Sequence, residues 1–180
     1  MKNSKFFAFN KQKGLTLIEM SVVLVLAGIL LSPLFLRFMD KRDQAIAKEE
    51  AENWISIAAN AQEKYSTEPD YTGVTETIAK GLDIFPKSML VGTGVQNKVK
   101  GAVTCAAVDL TGTKDGWECT SANYPKAICN AVVQKLDATM RRISVGSTVV
   151  KPTDTKVNMT DLSSACSSTA ANSLKFVIPK

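Results

Sequence analysis

Glu19 stands alone in an apolar run. From Leu15 to Phe38 the only formally charged residues are Glu19 and Arg37, and the run opens at a basic junction, Lys13-Gly14-Leu15. A charged side chain at the middle of a membrane-spanning helix costs about 2.5–3.5 kcal/mol, and less near an interface. A carboxylate retained at that cost is expected to be used, and the chemistry open to it is pairing with a cation in a dry setting. The other reactive residues are four cysteines, Cys105, Cys119, Cys129 and Cys166. There is no histidine, which excludes the usual mixed zinc sites and Ser-His-Asp or Cys-His catalysis. Acids are spread through the chain without a pair on a recognisable catalytic frame. The reading is therefore non-enzymatic, with no cofactor and no metal.

The segment in front of Glu19 reads as an address. Met1–Gly14 holds Lys2, Lys5, Lys11 and Lys13 and no acid. An ordinary secretory signal closes its apolar core with a small-x-small cleavage site. Ala45-Ile46-Ala47 has the right letters, but Arg37, Asp40, Lys41, Arg42 and Asp43 intervene. Ordinary signal peptidase is therefore disfavoured, and an uncleaved signal anchor is the bland alternative. In both cases the positive-inside bias leaves the lysine-rich start in the cytoplasm and the rest outside. Without those four lysines the balance is 18 basic residues against 17 acidic, so the overall charge of +5 belongs mostly to the leader. The basic residues that remain, such as Arg141-Arg142, lack the aromatic interleaving of single-strand binders. They read as a solvated helix face, and no specific nucleic-acid binding is expected.

One long helix from about Leu15 to Tyr65 is expected, interrupted or bent at Ser32-Pro33, because Pro33 cannot donate to the Ile29 carbonyl. Leu15 to Phe38 gives about 36 Å of helix at 1.5 Å per residue, enough for a hydrocarbon core of about 30 Å. After it, Ala47, Ala51, Trp54, Ile55, Ala58, Ala61 and Tyr65 form a helical stripe, with Lys48, Glu49, Glu50, Glu52 and Lys64 on the other side. The expected segments are a leader over 1–14, an apolar transmembrane and assembly helix over 15–38, its amphipathic half over 39–66, and a globular head over 67–180. Within the head, Thr75–Gly81 reads as a short helix. Gly101–Leu110 and Gly116–Ala122 read as strands around the turn at Thr111–Gly116. Pro125 opens a helix with Ile128, Val132, Leu136, Met140 and Ile143 as its stripe. Ser147–Lys151 and Leu174–Ile178 are further strands, and Thr160–Ala171 a last helix. The fold class is α+β: a long amino-terminal helix, its apolar half protruding, packed on a head with an antiparallel sheet.

An even cysteine count behind an export signal reads as disulfides. Four cysteines allow three pairings, and the sequence does not choose among them. Cys105 with Cys119 and Cys129 with Cys166 is favoured because each pair couples neighbouring elements. Chain entropy assigns about 3 kcal/mol to the first and about 3.5–4 kcal/mol to the second.

Together these features resemble type IV pilins, and most closely the type IVb major pilin group. The resemblance rests on Lys13-Gly14-Leu15, on Glu19 at the fifth place after the junction, on Leu rather than Phe at Leu15, and on Pro125-Lys126-Ala127-Ile128-Cys129. The Cys166 helix followed by a closing strand adds to it. The leader is short for that group, and the pair Cys105 and Cys119 is not part of its general pattern. The resemblance implies that prepilin peptidase cuts between Gly14 and Leu15 and methylates the new amine. It implies a homopolymer built through the amino-terminal helix, with Leu15 and Glu19 as assembly residues. An assembly ATPase, an inner-membrane platform and a secretin are the implied partners. The chain would reside in the inner membrane before assembly and in an extracellular pilus, or fimbrium, afterwards. It also implies a carboxy-terminal disulfide region, Cys129 to Cys166, beside the central sheet. Two other readings are a minor pilin or secretion-system pseudopilin, and a membrane-anchored periplasmic enzyme or binding domain.

Overall fold

The structure, a computed structural model, describes residues 16–166 and 171–180. The chain divides into two compact units at Asp40 and Lys41.

In the first unit every large apolar side chain from Leu17 to Phe38 is exposed. These residues form the start of helix α1 (Leu17–Lys64), which is long and apolar enough to cross a membrane. Of the expected interruption or bend at Ser32-Pro33, the interruption does not occur: α1 is helical throughout, with Pro33 inside it. Proline removes one donor, leaving the other backbone bonds of a 48-residue helix in place. One turn earlier the Ser32 hydroxyl donates to the Gly28 carbonyl at 2.7 Å.

The second unit is built around a seven-stranded sheet. Its strands are β1 (Leu90–Val91), β2 (Gly94–Gln96), β3 (Ala102–Val108), β4 (Gly116–Tyr124), β5 (Arg142–Val145), β6 (Thr148–Lys151) and β7 (Asn172–Pro179). Their order is β1-β2-β3-β4-β7-β5-β6, and each neighbouring pair is antiparallel. The last strand in sequence is thus interior, between β4 and β5. Leu174, Phe176 and Ile178 are buried, opposite Ser121, Cys119 and Trp117 of β4, and Val177 between the last two is buried as well.

The later part of α1 packs on this sheet through Ala47, Glu50, Ala51, Trp54, Ile57, Ala58 and Ala61, a three-and-four spacing along one face. The Trp54 and Phe176 rings lie 4.8 Å apart between centroids. Two assignments change here. Ile55, expected in the stripe, is 42% exposed, while Ile57 is fully buried. Glu50, expected among the solvated charges, is fully buried as well.

The remaining helices are short. Helix α2 (Glu76–Gly81) is capped by Thr75, whose hydroxyl accepts from the Ile78 N–H. Helix α3 (Lys126–Leu136) follows Pro125 and buries Ile128, Cys129, Val132, Val133 and Leu136. Its expected extension to Ile143 fails: Ile143 lies on β5, pairing with Phe176. Met140, four residues after Leu136, and Ile143, three after Met140, continue the helical spacing by coincidence, because both are core residues reached by other elements. Arg141 and Arg142 accordingly occupy no helix. Arg141 bonds Asp154 at 3.0 Å, and Arg142 on β5 bonds Glu118 of β4 at 3.1 Å. Helix α4 (Met159–Ala165) is shorter than the expected Thr160–Ala171 and is capped by Asn158. Part of that expectation lies outside the described residues, and Asn172 already belongs to β7.

Candidate functional site

The amino-terminal site begins with the local rules of helix starts. Thr16 precedes the first helical residue and Glu19 is the third inside α1. That is the spacing of a capping box, in which the two residues satisfy each other's backbone donors. The Thr16 N–H donates to Glu19 Oε2 at 2.8 Å, and the Thr16 hydroxyl reaches the same oxygen at 2.8 Å. The Glu19 N–H in turn donates to Thr16 Oγ1 at 3.4 Å. The lone carboxylate of the apolar run is therefore held by its own chain at the helix start, where the macrodipole also favours negative charge. Gly14 and Leu15, the expected processing junction, lie outside the described residues. Sequence reasoning overlooked Thr16, although the Thr-x-x-Glu signature was legible.

The cysteines form two bridges. Cys105 and Cys119 face each other across β3 and β4 as register partners and are joined with a Cα–Cα distance of 4.1 Å. Cys129, in the first turns of α3, is joined to Cys166 at the end of α4 with a Cα–Cα distance of 6.0 Å. Cys129 and Cys166 are both fully buried. The first bridge links strands that the sheet already pairs. The second ties together two helices that share no backbone hydrogen-bond ladder, so it supplies a constraint the sheet does not.

A buried polar network organises the contact between α1 and the sheet. Glu50 accepts from Trp54 Nε1 at 2.7 Å and from the Tyr124 hydroxyl at 2.5 Å. Its other oxygen accepts the Lys98 N–H at 2.9 Å. Tyr124 also shares a 2.9 Å hydrogen bond with Ser121, to which Asn97 donates at 2.9 Å. Burial, and secondarily the charge of Glu50, hold the Tyr124 phenol well above its usual range, so it remains a donor. Asn97 also accepts the Gly101 N–H at 2.6 Å. Gly101 is needed there, because a Cβ would stand 1.9 Å from the Ala122 carbonyl oxygen. Such a satisfied network favours one placement of helix on sheet. No sequence signal marked Glu50, since its neighbours Glu49 and Glu52 are solvated.

A long apolar helix, a head built on an antiparallel sheet and a disulfide joining its carboxy-terminal helices define a type IV pilin fold. Solved structures share it, among them two pilins. The type IV b pilin from Salmonella typhi matches with a TM-score of 0.56 and 21% identity over 72% of this chain and 97% of its own. TcpA, a type IV pilin from Vibrio cholerae El Tor biotype, matches with a TM-score of 0.57 and 14% identity over 74% and 98%. The chain belongs to the family described as PilS N terminal, whose model matches residues 44–179. Residues 9–35 match the prokaryotic N-terminal methylation motif. No curated protein sequence matches significantly.

Proposed function

We propose that this chain is a structural pilin subunit, cleaved between Gly14 and Leu15, methylated at the new amine, held in the inner membrane and polymerised into a type IV pilus. The observation that supports this most is an α1 start whose large apolar side chains are all exposed and whose first turn carries one acid, Glu19. Residues 1–14 are the leader, 15–38 the span and assembly helix, 39–66 its amphipathic continuation, and 67–180 the head. Burying a large aliphatic side chain is worth about 1.5–3 kcal/mol relative to water. The membrane already excludes water, so packing between neighbouring helices has to drive much of assembly. Cleavage creates an amine at Leu15, four residues or roughly one helical turn from Glu19. Pairing Glu19 with the amine of a neighbouring subunit would neutralise both charges and set the axial stagger. Such a dry pair adds little net stability, whereas leaving one partner alone costs about 3–5 kcal/mol. Its value is register.

Intact mass of the membrane-extracted protein tests the processing step and is expected to start at Leu15 with one added methyl. Gly14→Val is expected to leave the uncut form in the membrane. A mature start near Lys48 would overturn the reading. Sheared filaments composed mainly of this chain support a major subunit. Trace amounts would assign it to the minor pilins or pseudopilins. Normal filaments after deletion, with a soluble activity lost, would favour an anchored enzyme or binding domain.

A further inference from the structure

The bridge between Cys105 and Cys119 joins two residues that differ in access. Along the core-facing side of β3, Val103 is buried, whereas Cys105 and Ala107 are only partly buried. Cys119, across from Cys105 on β4, is fully buried. A nucleophile arriving from solvent therefore meets Cys105 and not Cys119. The other bridge joins two fully buried residues, Cys129 and Cys166, and is closed to solvent.

Opening the first bridge leaves every other tie between its strands in place. Thr104 pairs with Thr120 and Ala106 with Glu118 on either side of the two cysteines. Strand β2 flanks β3 at Ala102 and Val103, and β7 flanks β4, with Phe176 opposite Cys119. A neutral thiol left at Cys119 is a small apolar group among core residues. The equilibrium points the same way. What a bridge adds to the fold, the fold adds to the bridge. Loop closure adds less for the separation of 14 between Cys105 and Cys119 than for the 37 between Cys129 and Cys166. The difference amounts to about fourfold in the reduction equilibrium.

We propose that Cys105 is a modification site, at which a low-molecular-weight thiol such as glutathione is attached by disulfide exchange while the head stays folded. The incoming thiolate attacks Cys105 Sγ and forms a new S–S bond there. The Cys105–Cys119 bond breaks, its electron pair goes to Cys119 Sγ, and that sulfur takes up a proton from solvent. One disulfide is exchanged for another, so the step needs no separate oxidant or reductant. A second thiol molecule then releases Cys105 as a thiol, with the small-molecule disulfide as the other product. The site belongs to the head and does not depend on cleavage or polymerisation, so it is tested on the unassembled chain.

The test incubates the full chain, in detergent, with glutathione buffers of increasing reducing strength, followed by acid quenching and peptide mapping. The expected product carries one glutathionyl group on Cys105. Cys119 is then a free thiol that alkylates only after denaturation, and the Cys129–Cys166 peptide is still bridged. Cys129–Cys166 is expected to open only at a ratio of reduced glutathione squared to oxidised glutathione about fourfold higher. It is also expected to open at least about tenfold more slowly, because exchange depends on access. Near-UV circular dichroism is expected to stay native through the first opening. Single variants separate access from bridge stability. With oxidised glutathione, Cys119→Ser is expected to take up the adduct at Cys105, and Cys105→Ser, while folded, to take up none at Cys119. An adduct on Cys119, or earlier or simultaneous opening of Cys129–Cys166, would overturn the proposal. So would loss of the native signal with the first opening, or no adduct on Cys105 in the quenched native chain.

Discussion

The amide and the hydroxyl of Thr16 converge on one carboxylate oxygen of Glu19, each at 2.8 Å. The residue that carries the only acid of the apolar run is therefore not waiting unpartnered for a neighbour. Its charge is already spread over two donors of its own chain, and any intermolecular pairing has to compete with or add to them.

This competition makes Thr16 a testable position. Thr16→Val removes the hydroxyl and keeps the backbone donor, costing about 1 kcal/mol at the helix start. Cleavage and membrane insertion are expected to continue, with filament yield below that of the native chain but above that of Glu19→Gln, which removes the carboxylate itself and is expected to reduce filament formation further. Thr16→Ser is expected to restore the yield. Electron microscopy of sheared filaments at matched subunit levels makes the comparison. Native yield in Thr16→Val would show that the contact is idle.

Glu50 offers a second test, on stability alone. Glu50→Ala strands the Lys98 N–H and removes the nearer acceptor of Trp54 Nε1 and of the Tyr124 hydroxyl, leaving them a 3.3 Å contact with each other and the Ser121 hydroxyl, in a buried interface where each unsatisfied group costs about 1–3 kcal/mol. A loss of about 3 kcal/mol or more is expected in denaturant unfolding of the full chain in detergent. Glu50→Gln keeps an acceptor and should lose less than half of that. A change under about 1 kcal/mol in Glu50→Ala would mean that water or a shifted side chain replaces the carboxylate.

What the sequence disclosed follows the reach of its signals. The apolar run, the stripe from Ala47 to Ala61 and the β3–β4 hairpin are local patterns, and each was readable. Strands β1 and β2 were missed because they span two and three residues, too short for alternation to register. Ile143 was misassigned because i, i+4 spacing cannot tell a helix from a helix followed by a strand. The interior position of β7 depends on pairing with β4 and β5, which no local pattern encodes. Glu50 went unrecognised for the same reason: its partners Lys98 and Tyr124 come from distant parts of the chain.

The two bridges are expected to differ in consequence. Breaking the buried Cys129–Cys166 link with Cys166→Ser frees α4 from α3, and loss of a native disulfide commonly costs 2–5 kcal/mol. Breaking Cys105–Cys119 with Cys105→Ser leaves a hairpin still registered by six residue pairs from Val103 to Val108, and the cost is expected to be smaller. Thermal unfolding of the two variants should rank Cys166→Ser as the less stable. The reverse order would mean that the sheet depends on its covalent tie.

Acid sensitivity of the head should trace in part to Asp115. Its carboxylate accepts the Leu110 N–H at 2.7 Å and the Thr111 hydroxyl at 2.7 Å, and Arg141 approaches at 3.5 Å. The backbone hydrogen bond from Leu110, followed by the Thr111 hydroxyl, holds this group far below the usual carboxylate range. A carboxyl depressed on folding adds stability that is fully present above its unfolded value, about 3.9, and fades as pH falls toward its folded value. The native chain should therefore be more stable than Asp115→Asn at pH 7, and the gap should hold down to about pH 5. Below about pH 4 the gap should narrow steadily, because only the native chain has this proton to take up. Melting temperatures of both chains from pH 7 to pH 2 provide the measurement. A gap that stays constant to pH 2 would assign the loss in Asp115→Asn to turn geometry and not to the ionised carboxylate.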